Sequence, residues 1–594
     1  MPDPDPADEG PVSPYAARPW LASYPDGVPA DYAFPTVPLT RLLDDAVASF
    51  PSRTALAFQG ARLSYRELKD VVDHLAAGLA GLGVGKGDRV AVVLPNCPQN
   101  VITVFAVLRL AAVVVQHNPV ATATELQAQL RDSGARVVVC LDRGYETVAQ
   151  VRAHTAVEHV VVTSIADYLP TRARLAMRLP LRSARRTRAT VAAPLPAGAP
   201  VLRFLELLRT SAPAAQVPLD PQTDVALLQY TGGTTGVAKG AMLTHANLVA
   251  NAYMNRLWDV GGRPGQEVVL GVLPLFHVYG LTVCLNATLL LGGTLVLLPR
   301  FELAEVLAAI DRWRPTMLPG VPPIFKALAD GAPLGGHDLS CLRVCVSGAM
   351  KLPVEVQQAF ERVSGAVLVE GYGLTETSPS THCNPIDEHR RAGSIGLPLP
   401  GTHCRIVAQD DPDREVPVGE PGELLVRGPQ VFAGYWGGEP GDTVLTADGS
   451  LRTGDVAVMD ERGFFTIVDR MKDLIVTGGF NTYPSEVEEV LRAHPEVQEA
   501  VVVGVPDRYR GETVKAFVVR TPGSEVTAEQ LFEQCRTRLS AYKVPRAVEF
   551  RDELPHSVVG KVLRRLLLDE ELRRTEQDAG PPARKSPLPP GRSS

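Results

Sequence analysis

The sequence predicts an α/β protein in which a large multi-lobed N-terminal region precedes a small α+β C-terminal domain. Three observations predict it. Short Val-rich apolar runs alternate with amphipathic helical stretches through most of the chain. Those runs are apolar at nearly every position, as strands covered on both faces are. The last 120 residues then change to paired strands around a helix.

The elements follow in chain order. Residues 1–18 are acidic and Pro-rich, with too little apolar surface to fold, and read as a disordered tail. Ser64 and Glu67 have capping-box spacing, so each satisfies a free amide at a helix start. Leu68, Val71, Val72, Leu75, Leu79 and Leu82 continue at helical spacing, and Gly83 reads as the stop. The runs VAVVLP, RVVVC, HVVVT, TLVLLP and RVCVSG read as buried strands separated by helical lengths. Near DRMKDLIV the small domain begins, with strands AVVVGVPD and VKAFVVR joined by a polar loop over residues 508–513. Thr527 and Gln530 cap a helix carrying Leu531, Cys535 and Leu539. The expected division is 1–18 tail, 19–470 N-terminal domain, 471–575 C-terminal domain and 576–594 disordered tail.

Composition narrows the function. The 594 residues are 45% hydrophobic and 21% charged, close to globular averages, which excludes wholesale disorder. A net charge of −7 with no basic excess argues against nucleic acid as a partner. The eight cysteines are scattered, and Cys341 and Cys345 sit inside an apolar run, so they read as buried thiols in a reducing compartment. The acidic start is unlike a signal peptide. The uncharged run 281–298 is divided by Gly292-Gly293 into pieces too short to cross a bilayer. The chain therefore reads as cytoplasmic. One segment stands apart: Arg172, Arg174, Arg178, Arg182, Arg185, Arg186 and Arg188 alternate with Leu175, Met177, Leu179 and Leu181, without an acidic residue. Such a segment can lie peripherally on anionic lipid at the inner face of the membrane, or be a solvated surface insertion.

The richest chemistry lies in residues 230–247, YTGGTTGVAKGAMLTHAN. Three glycines and three threonines, followed by Lys239, suit a loop that turns amides and hydroxyls toward phosphate oxygens. Val237-Ala238 and the missing Ser or Thr after the lysine exclude a Walker A loop, and the chain has no GxGxxG dinucleotide fingerprint.

YTGGTTGVAKG resembles the phosphate loop of the acyl-adenylate-forming (AMP-binding) superfamily. LPLFHVYG (273–280), EGYGLTET (370–377), GELLVRGPQVFAGYW (422–436), RTGD (452–455), VDRMKDLIVTGGFNTYPSEVE (468–488), YKVP (542–545) and LPHSVVGKVLRR (554–565) are similar to its later motifs, in order. The wording is closest to bacterial long-chain fatty acid–CoA ligases. Two departures, Ala238 in the phosphate loop and HSVVGK around Lys561, remove no charged group.

The resemblance implies a multi-lobed adenylate-forming domain with a mobile C-terminal domain. It implies ATP, Mg²⁺ and coenzyme A as cofactor and cosubstrates, and a fatty acid as substrate. Thr231, Gly232, Gly233, Thr234, Thr235, Gly236 and Lys239 would hold the β- and γ-phosphates. Glu376, beside Thr375, would bind Mg²⁺ through oxygen. Tyr372 would stack on adenine, with Gly348, Ala349 and Gly371 as pocket walls. Asp455, helped by Arg470, would accept hydrogen bonds from the ribose. Lys561 would be the catalytic lysine at the substrate carboxylate and α-phosphate. Lys472 would be the hinge, Gly478, Gly479 and Phe480 would line the pantetheine tunnel, and His277 would stand where acyl chain and thiol meet. The acyl pocket is expected near His277 and residues 347–349. An acyl-AMP ligase, an aryl or medium-chain acid–CoA ligase and a catalytically silent adenylate-binding scaffold are the alternatives. The uninterrupted DRMKDLIVTGGFN and the retained Lys561, Glu376 and Asp455 weigh against the first and third.

Overall fold

A computed structural model describes residues 13–179, 181–209, 217–231, 238–438, 444–477, 480–507, 511–557 and 560–578. The chain forms two compact units. One holds the described residues up to Thr453 with Ala457–Ile467, and the other holds Gly454–Val456 with the described residues from Val468 onward.

The first unit contains two large sheets. In the seven-stranded sheet, Leu202–Arg203, His159–Thr163, Val137–Leu141, Arg89–Val93, Val113–Gln116 and Val225–Thr231 are parallel neighbours, and Lys239–Thr244 closes the edge antiparallel. The nine-stranded sheet has a parallel centre in which Val268–Gly271, Met317–Gly320, Val344–Ser347 and Val367–Gly373 lie in sequence order. The apolar runs are these strands: Val137–Leu141 is buried at its first four positions and Arg89–Val93 at its last four. Helices such as Tyr65–Gly81 and Pro98–Arg109 cover the sheets and bury their faces in one continuous core. Burying a Leu or Val side chain contributes about 1.5–3 kcal/mol, which explains why the apolar pattern determines the layers.

Local signals are realised as the sequence indicates. The Ser64 side chain accepts from the Glu67 amide and Glu67 from the Ser64 amide, and Thr527 does the same with Gln530. Run 281–298 forms a π-helical turn Gly280–Asn286, a short helix Ala287–Leu291 and a strand Thr294–Leu297, with Gly292 in the left-handed region at φ 61°. Among the described residues, no helix is long and apolar enough to cross a membrane.

Three boundary expectations are corrected. The end of the expected N-terminal tail is held: Tyr15 is buried, its hydroxyl donates to the Val416 carbonyl at 2.9 Å, and Arg18 pairs with Asp31. One aromatic ring buried in a groove outweighs the polar composition around it. At the other end, the helix Arg564–Asp578 continues past residue 575. The polar loop is also shorter than expected, because Val497–Asp507 and Gly511–Arg520 stay paired up to Asp507 and Gly511, placing Glu512 and Thr513 in the strand. In the second unit these two strands form a sheet with Ile475–Thr477, Phe480–Thr482 and Ala547–Arg551, backed by Pro484–Arg492 and Ala528–Arg538.

Candidate active site

In the first unit the candidate site grows from the edge pair Val225–Thr231 and Lys239–Thr244, whose last register is Thr231 opposite Lys239. Gly232, Gly233, Thr234, Thr235 and Gly236 lie outside the described residues. The Lys239 ammonium lies 5.2 Å from the centre of the Tyr435 ring, and the Tyr435 hydroxyl donates to Glu376 Oε1 at 2.6 Å. Three backbone hydrogen bonds bring Tyr435 there: Met242 N–H to Gly434 O at 2.9 Å, Ala433 N–H to Met242 O at 3.0 Å and Trp436 N–H to Gly240 O at 2.8 Å. The Phe432 amide also donates to the Glu376 carbonyl at 2.9 Å. Lys239, the acidic motif and the VFAGYW segment thus form one cluster of cation, hydroxyl and carboxylate. Glu376 is half-buried with Oε1 held by Tyr435, and a carboxylate offers the oxygen ligands that Mg²⁺ prefers.

Thr375, Glu376 and Thr377 form a single tight turn after the strand Val367–Gly373. The turn is compact because Gly373 has no side chain: a Cβ there would lie 1.9 Å from the Pro379 carbonyl oxygen. Tyr372 sits in the same strand, half-buried, with its ring edge-on to His382 at 5.8 Å. Behind it runs a chain of hydrogen bonds. The Thr381 hydroxyl donates to the Tyr372 carbonyl at 3.3 Å, so it accepts from His382 Nδ1 at 2.9 Å, and Cys404 Sγ stands 3.5 Å from Nε2. Burial holds His382 neutral, lowering its pKa to about 3. Gly371 lies beside Val346 and opposite Cys383. Gly348 has its missing side chain replaced by the Tyr279 ring, which a Cβ would meet at 2.9 Å. The Tyr279 hydroxyl donates to Val346 O at 3.0 Å, and Ala349 is exposed with φ 65°.

His277 follows Phe276 in the loop after Val268–Gly271. Asn96 anchors that loop, donating to Gly271 O and Leu273 O at 3.0 and 2.8 Å and accepting from Leu275 N at 2.7 Å. Gln229 Nε2 adds a bond to Phe276 O at 2.9 Å, tying the loop to the strand that leads into the phosphate loop. Burial lowers the His277 pKa to about 4, so the ring is neutral. Its Nε2 and the buried Ser347 Oγ have no hydrogen-bond partner among the described residues. His277, Gln229, Tyr230 and Gln116 line a cavity of about 160 Å³. Buried polar atoms without protein partners are open to a polar ligand atom or a water.

The second unit gathers the remaining charged residues. Asp455 is buried, and Arg470 Nε stands 2.9 Å from its Oδ1. Lys472 lies in the turn Met471–Asp473. Lys561 is presented by a tight turn: the Gly560 amide donates to Ser557 O at 2.8 Å, the Ser557 amide to Lys561 O at 2.8 Å, and Gly560 takes φ 78°. Arg564 fixes the following helix, pairing with Glu488 at 2.6 Å and Asp473 at 3.3 Å. Surrounding protein, and then the Arg470 guanidinium, push the Lys561 pKa down to about 8, although the side chain remains solvent-accessible. The Lys472 pKa is lowered by the same two causes in the same order. Gly478 and Gly479 lie outside the described residues, and Phe480 opens the strand Phe480–Thr482.

Two matches to family models cover these motifs. The AMP-binding enzyme model matches residues 43–436, and the AMP-binding enzyme C-terminal domain model matches residues 486–561. The chain belongs to the AMP-binding enzyme family. Over 556 residues, 93% of this AMP-binding enzyme and 98% of the relative, it is 45% identical to the long-chain-fatty-acid–CoA ligase of Bacillus subtilis (strain 168). It is 41% identical to the ligase of the same name from Escherichia coli O6:H1, over 93% and 98% of the two chains. Its structure is similar to ATP-bound MatB from Rhodopseudomonas palustris, with a TM-score of 0.77 at 29% identity, covering 90% of this chain and 99% of its counterpart.

Sequence reasoning missed four residues of this AMP-binding enzyme's candidate site: Tyr435, Tyr279, His382 and Glu370. Tyr435 stood inside a quoted motif, and its aromatic-hydroxyl character was the signal available. Glu370 is buried beneath the strand end, accepts from the Leu352 amide at 3.1 Å, and has its pKa raised by burial to about 8. Its position in an otherwise apolar strand was its signal.

Proposed function

We propose that this enzyme is an AMP-forming long-chain fatty acid–CoA ligase. It joins a fatty acid carboxylate to the α-phosphate of ATP, releasing pyrophosphate, and passes the acyl group to the coenzyme A thiol, releasing AMP. The observation that carries the reading is the Lys239–Tyr435–Glu376 cluster. Bringing an anion to a polyanion demands positioning and charge neutralisation, and the cluster supplies both.

In this reading Thr231, the loop 232–236 and Lys239 bind the outer phosphates. Glu376 holds Mg²⁺, whose charge offsets that of the phosphates when bound. Tyr372 carries the adenine, between Gly348, Ala349 and Gly371. Asp455, held by Arg470, accepts from the ribose. Lys561 donates to the carboxylate and α-phosphate oxygens during adenylation. Lys472 acts as the hinge for a rotation that withdraws Lys561 and brings Gly478, Gly479 and Phe480 to the pantetheine. His277, neutral and uncommitted at Nε2, stands by the acyl carbonyl and thiol. The enzyme works in the cytoplasm, peripherally at the inner face of the membrane.

The test measures pyrophosphate release and thioester formation together, for acids from acetate to oleate and for cinnamate, with and without coenzyme A. Thioester formation that peaks between laurate and oleate supports the proposal. Pyrophosphate release without thioester identifies an acyl-AMP ligase, a cinnamate optimum an aryl acid ligase, and ATP binding without turnover a silent scaffold.

A further inference from the structure

The basic segment forms a folded face. Its helices are Thr171–Ala176 and Arg182–Val191, and Met177 between them is buried in the main core. Arg188 donates to the Met177 carbonyl, Arg143 to the Ala189 carbonyl at 2.6 Å, and Ser164 Oγ to the Val191 carbonyl at 3.1 Å. Anchored in this way, the segment holds Leu175, Leu179 and Leu181 outward at 56%, 50% and 55% exposure. Three half-exposed leucines so close together are more than scattered surface apolar residues.

The charge around them is unbalanced. Arg172, Arg174, Arg178, Arg182, Arg186 and Arg188 are exposed, and among the described residues none pairs with a carboxylate. Nearby acids are committed elsewhere: Asp167 accepts from Thr163 and Ser164, and Asp142 from the Arg143 and Ala193 amides. The basic face also extends beyond the segment. A Cβ at Gly60 would lie 3.5 Å from Pro170 Cγ and 3.3 Å from Arg312 Nη1, so Arg312 flanks the segment's start. Arg312 and Arg62 both lie over the Trp313 ring, at 5.4 and 4.7 Å. Sequence position alone separates these residues widely.

We propose that this composite face seats the enzyme on an anionic bilayer. Leu175, Leu179 and Leu181 enter the boundary between headgroups and acyl chains, the surrounding arginines pair with lipid phosphates, and Trp313 with its two arginines marks the interfacial rim. Charge complementarity selects the lipid: guanidinium groups without carboxylates face a surface of phosphates, and apolar teeth have no use against a hydrophilic polyanion. The inference specifies the peripheral location proposed above and is independent of the chemistry at the active site.

Co-sedimentation of the full chain tests it, with vesicles of equal parts phosphatidylglycerol and phosphatidylcholine against vesicles of phosphatidylcholine alone. The expected result is binding to the anionic vesicles that weakens with salt and falls about fivefold for each of Arg174→Gln, Arg178→Gln and Arg312→Gln. Combined Leu175→Ser, Leu179→Ser and Leu181→Ser abolishes it while octanoate activation and the melting temperature stay at the parent values. Equal binding to both vesicles, or parental binding by the leucine variant, overturns the proposal. Tighter binding to polyuridylate than to anionic vesicles overturns it in favour of a nucleic acid face. Because octanoate activation is read separately, failure of lipid binding is distinct from failure of the ligase assignment.

Discussion

The Tyr435 hydroxyl donates to Glu376 Oε1 at 2.6 Å while its ring lies 5.2 Å from the Lys239 ammonium. One side chain therefore orients an acid and faces a base of the same site. Removing only the hydroxyl, in Tyr435→Phe, releases Glu376 but keeps the ring under Lys239. A hydrogen bond to a charged group contributes about 1.5–3 kcal/mol, so the KM for Mg·ATP is expected to rise roughly ten- to hundredfold. Thioester formation from supplied acyl adenylate stays unchanged. An unaltered KM for Mg·ATP would remove Tyr435 from the site.

Lys561→Ala separates the two half-reactions. Adenylation is expected to fall by about two to three orders of magnitude, as on losing a charge-stabilising donor, whereas acyl transfer from supplied adenylate falls by less than tenfold. Equal losses in both would show that Lys561 does not leave the site between steps.

The pKa of Lys561 also sets a pH limit. It is lowered to about 8, so the ammonium is present below that value and lost above it. For adenylation, kcat/KM in the free enzyme should decline as pH rises through about 8. Lys561→Arg, with a group that stays charged, should abolish the alkaline decline whatever its remaining rate. A flat profile to pH 10 in the parent enzyme would disprove the assignment.

Stability should fall on the acid side. Burial lowers His117, His245 and His277 to about 4 and His382 to about 3. Each binds a proton in the unfolded chain near 6.5 before it does in the folded one, so its contribution is present above 6.5 and lost as pH falls toward the folded value. Glu370, raised to about 8, acts in the opposite sense between 4.5 and 8 and offsets one histidine over the shared window. The net slope is on the order of 1 kcal/mol per pH unit for each unopposed histidine. Thermal melts at pH 7 and pH 5 decide it, and an equal or higher midpoint at pH 5 would contradict these burials.

Gly373→Ala tests the turn that presents Glu376. A Cβ there would sit 1.9 Å from the Pro379 carbonyl oxygen, a backbone atom that cannot rotate away. The expected cost is about 2–3 kcal/mol of stability together with weaker Mg·ATP binding, read by denaturant unfolding and calorimetry. Gly449→Ala, whose Cβ meets nothing within 4 Å but whose φ is 77°, should lose less than half as much. A cost at Gly373 no larger than at Gly449 would show that the Pro379 carbonyl does not crowd the turn.

Much of the fold was legible because its causes are local. The capping boxes at Ser64 and Thr527 require only side chains three residues apart, and both form. The Val-rich runs became strands because apolar length and turn spacing leave few other ways to bury them. Where a distant groove decided, composition misled: Tyr15 is held by Val416, which no reading of residues 1–18 could anticipate.

The sequence by itself determined the family and the order of the motifs, and it singled out Lys239, Glu376, Asp455 and Lys561 as candidates, since these depend on residue type and collinear spacing. Only the tertiary structure decided which groups meet. It set Tyr435 between Lys239 and Glu376, put the Tyr279 ring beside Gly348, and carried Arg312 to the start of the basic segment. The physical reason is that hydrogen bonds and ion pairs act over a few ångströms. Sheet register and loop closure, not distance along the chain, determine which side chains come that close.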